Sequence, residues 1–162
     1  IGGGICQISS TLYDAAVFAN MDITVRRNHQ FVTSYLPAGK DATVVWGSQD
    51  FKFKNSRKYP VRITATVSGG VATVQIWGVK EDVEYDISIE TKQISTIKYT
   101  TQYVEDPSLP AGTQKVTQAG ANGRKVQAYK VMKLNGQVVS RTLLSTDTYR
   151  AMTRIVRVGT KK

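Results

Sequence analysis

Ile1-Gly2-Gly3-Gly4-Ile5-Cys6-Gln7-Ile8-Ser9-Ser10-Thr11-Leu12-Tyr13-Asp14-Ala15-Ala16-Val17-Phe18-Ala19-Asn20 opens the chain and carries its one helical pattern. Ile8, Leu12, Ala15/Ala16 and Ala19 recur at three-to-four-residue spacing, which predicts a helix over 9–20. Ser9 or Ser10 is the expected cap, Thr11 with Asp14 a weak capping box, and Asn20 the stop. Cys6, the only cysteine, falls just before that helix, and His29, the only histidine, follows 23 residues later. The sequence starts inside its glycine run without an initiator Met, which reads as a piece of a longer protein.

Outward from the helix the pattern turns to strands. Residues 23–27, 43–46, 51–54, 61–68 and 71–79 are rich in β-branched and aromatic side chains, and Gly69-Gly70 is a hairpin signal between the last two. Leu36-Pro37-Ala38-Gly39 and Trp46-Gly47-Ser48 read as turns. An acidic seam at 80–86 marks a change of composition. Beyond it Thr and Val alternate with polar residues over 94–104, 113–118, 125–134 and 137–144. Asn122-Gly123 and Asn135-Gly136 predict hairpins, and Pro107 and Pro110 a loop. This half holds no Trp or Phe, so it is expected to be a long, thin, flat β unit. The fold class is α+β: a small mixed domain over 1–82, then an extended all-β domain over 88–160.

Charge divides the same way. Residues 1–86 hold nine Lys/Arg against eight Asp/Glu, and 87–162 hold thirteen against four, so nearly all of the net +10 lies in the second half. Such a surface favours an anionic environment, or it is the edge protection of a strand-rich domain. No nucleic-acid motif accompanies it, and nucleic acid is not an expected partner. One cysteine cannot form an internal disulfide. No run approaches the ~20 apolar residues of a membrane span.

Cys6 has the makings of a nucleophile. Thiolate, not thiol, attacks, and a helix N-terminus favours it through unpaired N–H groups and the macrodipole. The same N–H groups can hold an oxyanion, with Gly4, Gln7 and Ser9 as neighbours able to contribute. His29 is the one available imidazole base, and Asp41, Asn28 or Asp50 are candidates to orient it. The bland readings are an inert packing cysteine and a satisfied histidine. One Cys and one His fall short of a zinc site, and the glycine run lacks a phosphate loop's lysine, so no metal and no cofactor is expected.

The run from Gly2 to Tyr13 resembles the signature of the VanW family. Arg27-Asn28-His29, Ser34-Tyr35-Leu36-Pro37, Gly39, Asp41-Ala42-Thr43 and Asp50-Phe51-Lys52-Phe53-Lys54-Asn55 extend the likeness to about residue 80. Residues 88–160 resemble the G-five (G5) domain through Glu105-Asp106-Pro107-Ser108-Leu109-Pro110-Ala111-Gly112, Gly120, Gly123, Asn135-Gly136, Val139-Ser140-Arg141 and Val158-Gly159-Thr160. The first family takes its name from vancomycin (glycopeptide) resistance clusters and is tied to L,D-transpeptidase activity through its cysteine. The resemblance implies a cysteine acyltransferase that forms 3→3 cross-links in peptidoglycan, with Cys6 and His29 at the positions its catalytic pair needs; Asp41 is assigned as the third, orienting member from its position in the sequence. The classical L,D-transpeptidase His-Gly and Ser-x-Gly-Cys-Arg elements are not present. The second family implies an extracellular, glycan-binding β domain, for which Tyr99, Tyr103, Tyr129 and Tyr149 are candidate stacking residues; strand packing is their alternative. Expected partners are stem peptides, glycan strands and anionic wall polymers. The expected setting is the wall of a Gram-positive bacterium, with a membrane anchor upstream. The alternative implied function is a non-catalytic binder of peptidoglycan or N-acetylglucosamine.

Overall fold

In the computed structural model, which describes residues 4–161, one helix is followed by ten strands. Helix α1 spans Ile5–Phe18. It starts four residues earlier than its apolar spacing predicts, so Cys6 lies in its first turn rather than ahead of it. The reason is Gly4, whose φ of 89° makes the turn into the helix. Ser9 and Ser10 do not cap it, and no side chain does. Their hydroxyls instead bond back to carbonyls, as serines inside a helix do. The helix ends at Phe18, and Asn20, the expected stop, is the left-handed residue just beyond it, with a φ of 58°. Asn20 N–H donates to Val17 O and Met21 N–H to Ala16 O, the paired bonds of a Schellman turn. The described helix is not long and apolar enough to cross a membrane.

Strands β1 (Asp22–Val25) and β2 (Lys52–Lys54) pair antiparallel, and β3 (Arg62–Ser68) and β4 (Val71–Trp77) form the expected hairpin. Gly69 and Gly70 both have positive φ, which the tight turn between β3 and β4 requires. Between β1 and β2 the chain is almost free of strand. The strand expected at 43–46 is reduced to a single bridge, Val45 to Gln49. Its backbone groups are taken elsewhere: Thr43 N–H donates to Arg27 O and Ala42 N–H to Ser10 Oγ.

The remaining six strands form two three-stranded sheets. Strands β5 (Asp86–Ile97), β8 (Gly123–Leu134) and β9 (Gln137–Tyr149) are antiparallel in the order β5-β8-β9. Strands β6 (Thr101–Pro110), β7 (Gln114–Gln118) and β10 (Arg154–Lys161) follow the order β6-β10-β7, parallel for β6 and antiparallel for β7. Asn135-Gly136 makes the β8–β9 hairpin. Asn122-Gly123 makes none: β7 pairs with β10, and Asn122 Oδ1 accepts from Tyr99 N–H. The continuous strand expected over 94–104 is broken between β5 and β6, which belong to different sheets. Pro107 and Pro110 lie inside β6 rather than in a loop. That strand is an edge, where a missing N–H costs no ladder bond.

The core ignores the seam in the composition. Tyr13 and Val17 of α1 and Ala42 of the following loop pack with Ile89 and Ala128 of the second half. Ile23, Phe51, Ile87 and Leu144 close around them. The helix therefore buries its apolar face partly against β5 and β8, and the two halves of the chain share one hydrophobic cluster.

Candidate functional site

Cys6 is half-buried in the first turn of α1, where backbone N–H groups have no partner within the helix. Its Sγ lies 3.6 Å from Thr43 Oγ1 and 3.5 Å from Val44 O. Two serines fix its backbone: Ser10 Oγ donates to Cys6 O at 2.6 Å and accepts from Ala42 N–H at 2.9 Å. Ser9 Oγ donates to Ala42 O at 2.6 Å. These bonds stitch 42–44 to the helix start. Ser9 is buried by them and faces the scaffold, not a place where an oxyanion would form. Gly4 is exposed and Gln7 half-buried beside the thiol's turn. Gly2 and Gly3 lie outside the described residues.

His29 sits in the strand-free loop after β1. Its Nδ1 is 2.6 Å from Asp41 Oδ2, and its backbone N–H donates to the same oxygen at 2.6 Å. That double contact sets the ring with Nδ1 toward the carboxylate and turns Nε2 away from it. Nε2 faces the Tyr35 hydroxyl at 3.2 Å, with the two rings edge to face. Among the described residues no hydrogen bond joins Cys6 to His29. Tyr35 stands on the Nε2 side, and burial raises its pKa, with the nearby Cys6 and Asp41 adding to the rise.

Asp41 is fully buried. Tyr149 O–H donates to its Oδ1, and Arg26 Nη2 approaches the same oxygen at 3.3 Å. Burial alone would push this carboxyl up. The hydrogen bonds from Tyr149 and from the His29 backbone and ring, with the Arg26 charge, outweigh it and hold Asp41 below the usual carboxylate value. Arg26 itself bridges two carboxylates, donating from Nη1 to Asp147 at 2.6 Å and from Nη2 to Asp41 Oδ1 at 3.3 Å, while its Nε donates to the Asp41 backbone carbonyl at 2.6 Å. Its guanidinium lies 5.1 Å from the centre of the Tyr13 ring.

Of the other candidate orienting groups, Asn28 supports the His29 backbone by donating to His29 O and Thr148 O. Asp50 is exposed and bonds its own neighbour Phe51 and Lys52, with no contact to His29. A groove of about 1230 Å³ opens beside the imidazole. Arg27, His29, Gln30, Leu143, Asp147 and Arg150 are among the residues that line it. Cys6 is outside that lining.

The tyrosines of the second half differ among themselves. Tyr103 is 64% exposed and Tyr99 39%. Tyr129 is half-buried and carries the Arg141 guanidinium 3.6 Å from its ring centre, so one face is already covered. Tyr149 is completely buried, which corrects its reading as a sugar-stacking residue. Sequence reasoning missed Arg26, Tyr35 and Tyr149 as parts of the histidine's surroundings. Tyr35 belongs to the run Ser34-Tyr35-Leu36-Pro37 and had a signal there; Tyr149 had none, because it lies 108 residues from Asp41.

Comparison with known proteins separates the chain at the same acidic seam. Residues 1–77 match the family described as VanW like protein, and residues 88–161 match the G5 domain. Among curated relatives, YoaR of Bacillus subtilis (strain 168) is 43% identical over 77 residues, covering 48% of this chain and 25% of YoaR. The immunoglobulin A1 protease of Streptococcus sanguinis is 40% identical over 77 residues, covering 48% of this chain and 4% of that protein. The chain thus spans a quarter or less of these relatives. A solved structure titled as the IgA1 protease G5 domain is 33% identical, covers 50% of this chain and 98% of its own, and superposes with a TM-score of 0.34. The chain carries a VanW-like domain over residues 1–77 followed by a G5 domain over residues 88–161.

Proposed function

We propose that this chain is part of a cell-surface protein that acts on peptidoglycan as a cysteine acyltransferase of the L,D-transpeptidase type. VanW and G5 domains are together those of cell-wall-associated proteins, typically extracellular or on the cell surface, and a Gram-positive wall is the setting proposed. The observation that carries the catalytic reading is the Asp41–His29 pair: a buried carboxylate holding Nδ1 leaves Nε2, bonded only to the Tyr35 hydroxyl, to serve as a base.

In the reaction, Tyr35 yields Nε2 and His29 accepts the Cys6 thiol proton. The thiolate attacks the carbonyl carbon of the third residue of a donor stem peptide. The developing oxyanion is met by free N–H groups of the first helical turn beside Gly4, with Gln7 adjacent. The C–N bond to D-alanine breaks, and its nitrogen takes the proton from His29. A thioester remains on Cys6. The side-chain amine of an acceptor stem then attacks, losing a proton to His29. The C–S bond breaks, giving the 3→3 link, and the thiol regains its proton. Asp41 steadies the imidazolium in both halves of the cycle. The groove beside His29 would take the part of a stem peptide that extends away from Cys6, with Arg27 and Arg150 in its lining to attract carboxylates.

The test is incubation of the protein with tetrapeptide muropeptides, with Cys6→Ala as control. Formation of 3→3 dimers by the unmodified chain and none by the variant is the expected result, and a carbapenem adduct localised to Cys6 should accompany it. Dimers formed equally by the variant would overturn the reading.

A second reading, a non-catalytic glycan-binding surface protein, is favoured by one observation: the Cys6 thiol is engaged by Thr43 and Val44 O rather than by His29. Exposed Tyr103 and Tyr99 would then be the contacts to sugar rings, with Tyr129 offering only its uncovered face. It predicts wall binding without any muropeptide product.

A further inference from the structure

The loop that holds His29 and Asp41 is fastened to one short stretch of the G5 domain. Arg150 N–H donates to Gln30 O at 2.8 Å, and Asn28 Nδ2 donates to Thr148 O at 3.0 Å. Asp147 receives the Arg26 guanidinium at 2.6 Å. Tyr149 O–H reaches Asp41 Oδ1 and accepts from Gly39 N–H at 2.7 Å. Four consecutive residues, Asp147 to Arg150, therefore contact residues on both sides of the imidazole in sequence. The contacts are not peripheral: Tyr149 and Asp147 are buried, and Gly39 lies against Thr91, Val126 and Ala128 of the G5 domain.

We infer that Tyr149 is a positioning residue for the acyl-transfer site: the G5 domain, through the Tyr149 hydroxyl, aims the Asp41 carboxylate at His29 and so sets the ring's tautomer and direction. This rests on the proposed catalytic reading for its consequence, but not for its geometry. Asp41 has two oxygens. Oδ2 serves His29 twice, and Oδ1 is pinned by Tyr149 with Arg26 beyond it. With Oδ1 released, the carboxylate can rotate about its Cβ–Cγ bond, and Oδ2 no longer stays in line with Nδ1. The G5 domain then contributes to the chemistry as well as to any attachment to the wall, because residues 1–77 supply only part of what holds the orienting carboxylate.

The experiment uses the intact 162-residue chain with its single histidine labelled with nitrogen-15, so that one ring reports without assignment. In the unmodified chain the spectrum should show one tautomer, protonated on Nδ1. Tyr149→Phe keeps the ring that fills the site and removes only the hydroxyl. It should give a mixed or exchange-broadened tautomer signal and a carbapenem acylation rate about tenfold lower, with donor affinity unchanged. A folded Tyr149→Phe protein with the original tautomer and rate overturns the inference. If the unmodified chain forms no adduct while the tautomer still responds to Tyr149→Phe, the positioning stands and the acyltransferase reading falls. A second measurement needs no variant. The Tyr149 hydroxyl proton of the unmodified chain should exchange slowly with solvent and show a nuclear Overhauser contact to the Gly39 amide. A hydroxyl in fast exchange overturns the inference as well.

Discussion

Two buried carboxylates, one at the junction of the domains and one in the distal sheet, are held in opposite ways. Asp41 draws its partners from afar: His29, Arg26 and, 108 residues away, Tyr149. Asp106 in β6 is bonded by Ser108 N–H and Oγ, two residues on, and by Arg157 of the neighbouring β10. The distal sheet thus secures its acid by a local turn and a rung of its own ladder. The junction secures Asp41 by a convergence of three chain segments, and one of those partners is an imidazole whose other nitrogen meets only the Tyr35 hydroxyl. A carboxylate bonded by its own neighbours organises backbone; one bonded by distant side chains organises a site.

The largest effect should come from removing the junction acid. Asp41→Ala leaves Arg26 beside a lone Asp147 and Tyr149 without an acceptor in a dry environment, at a cost of about 3–5 kcal/mol, read by denaturant unfolding. It should also abolish acyl transfer. Asp106→Ala should lower Tm far less and leave acyl transfer as it was. Equal losses from the two variants would break the comparison. The Asp41 contribution has a pH signature. Its pKa is depressed on folding, so the stabilisation is complete above the ordinary carboxylate pKa and disappears as pH falls through the lowered value.

Asp14 sharpens the contrast, because it is half-buried on α1 with one buried oxygen that finds no hydrogen-bond partner. Burial pushes its pKa up to about 7, against the opposing pull of Lys40 and Arg26. A raised carboxyl pKa means the folded state holds a proton that the unfolded state has lost, so stability falls as pH rises from about 4 to about 7. Asp14→Asn should match the parent near pH 4 and exceed it by about 2–4 kcal/mol at pH 8. A constant difference across that range would show that burial does not govern this group.

Glycine substitutions probe the same two regions through the backbone. Gly39 at the junction and Gly112 in the turn after β6 have φ of 92° and 81°. A side chain at Gly112 meets nothing within 4 Å, whereas one at Gly39 meets Thr91 at 3.1 Å and Val126 at 3.3 Å. Gly112→Ala should cost about 1–2 kcal/mol from conformation alone, and Gly39→Ala about 1 kcal/mol more from crowding. Thermal melts of the two variants compare them directly. The smallest effect is expected at Tyr35. Tyr35→Phe removes the hydroxyl that occupies His29 Nε2, a bond worth about 1 kcal/mol. Carbapenem acylation of Cys6 should then accelerate about fivefold. A slower reaction would instead make that hydroxyl a participant in proton transfer.

The α+β class, the Gly69-Gly70 and Asn135-Gly136 hairpins and the stop signal for α1 at Asn20 were legible because each depends on neighbours in sequence. Positive φ at a turn and apolar spacing along a helix are local demands. The start of α1 departs from the expectation because Ser9 and Ser10 have the chemistry of caps, whereas the tertiary structure gives their hydroxyls to Cys6 O and Ala42 O. Asn122-Gly123 has hairpin chemistry but no hairpin, since strand pairing is settled by which ladders can be completed across the sheet. Pro107 and Pro110 were read as a break because proline forbids a central strand, and only the sheet order places β6 at an edge.

The candidate site divides in the same manner. Sequence alone singled out Cys6 and His29 by their uniqueness, and set Asp41 among three acceptable orienting groups. The choice among those three was made by tertiary structure, which brings Asp41 within 2.6 Å of the imidazole and leaves Asp50 in solvent. Tertiary structure also interposed Tyr35 and recruited Tyr149. The physical reason is burial. A carboxylate excluded from water must satisfy its oxygens with whatever donors the fold delivers, and those donors come from segments whose separation along the chain carries no local signal.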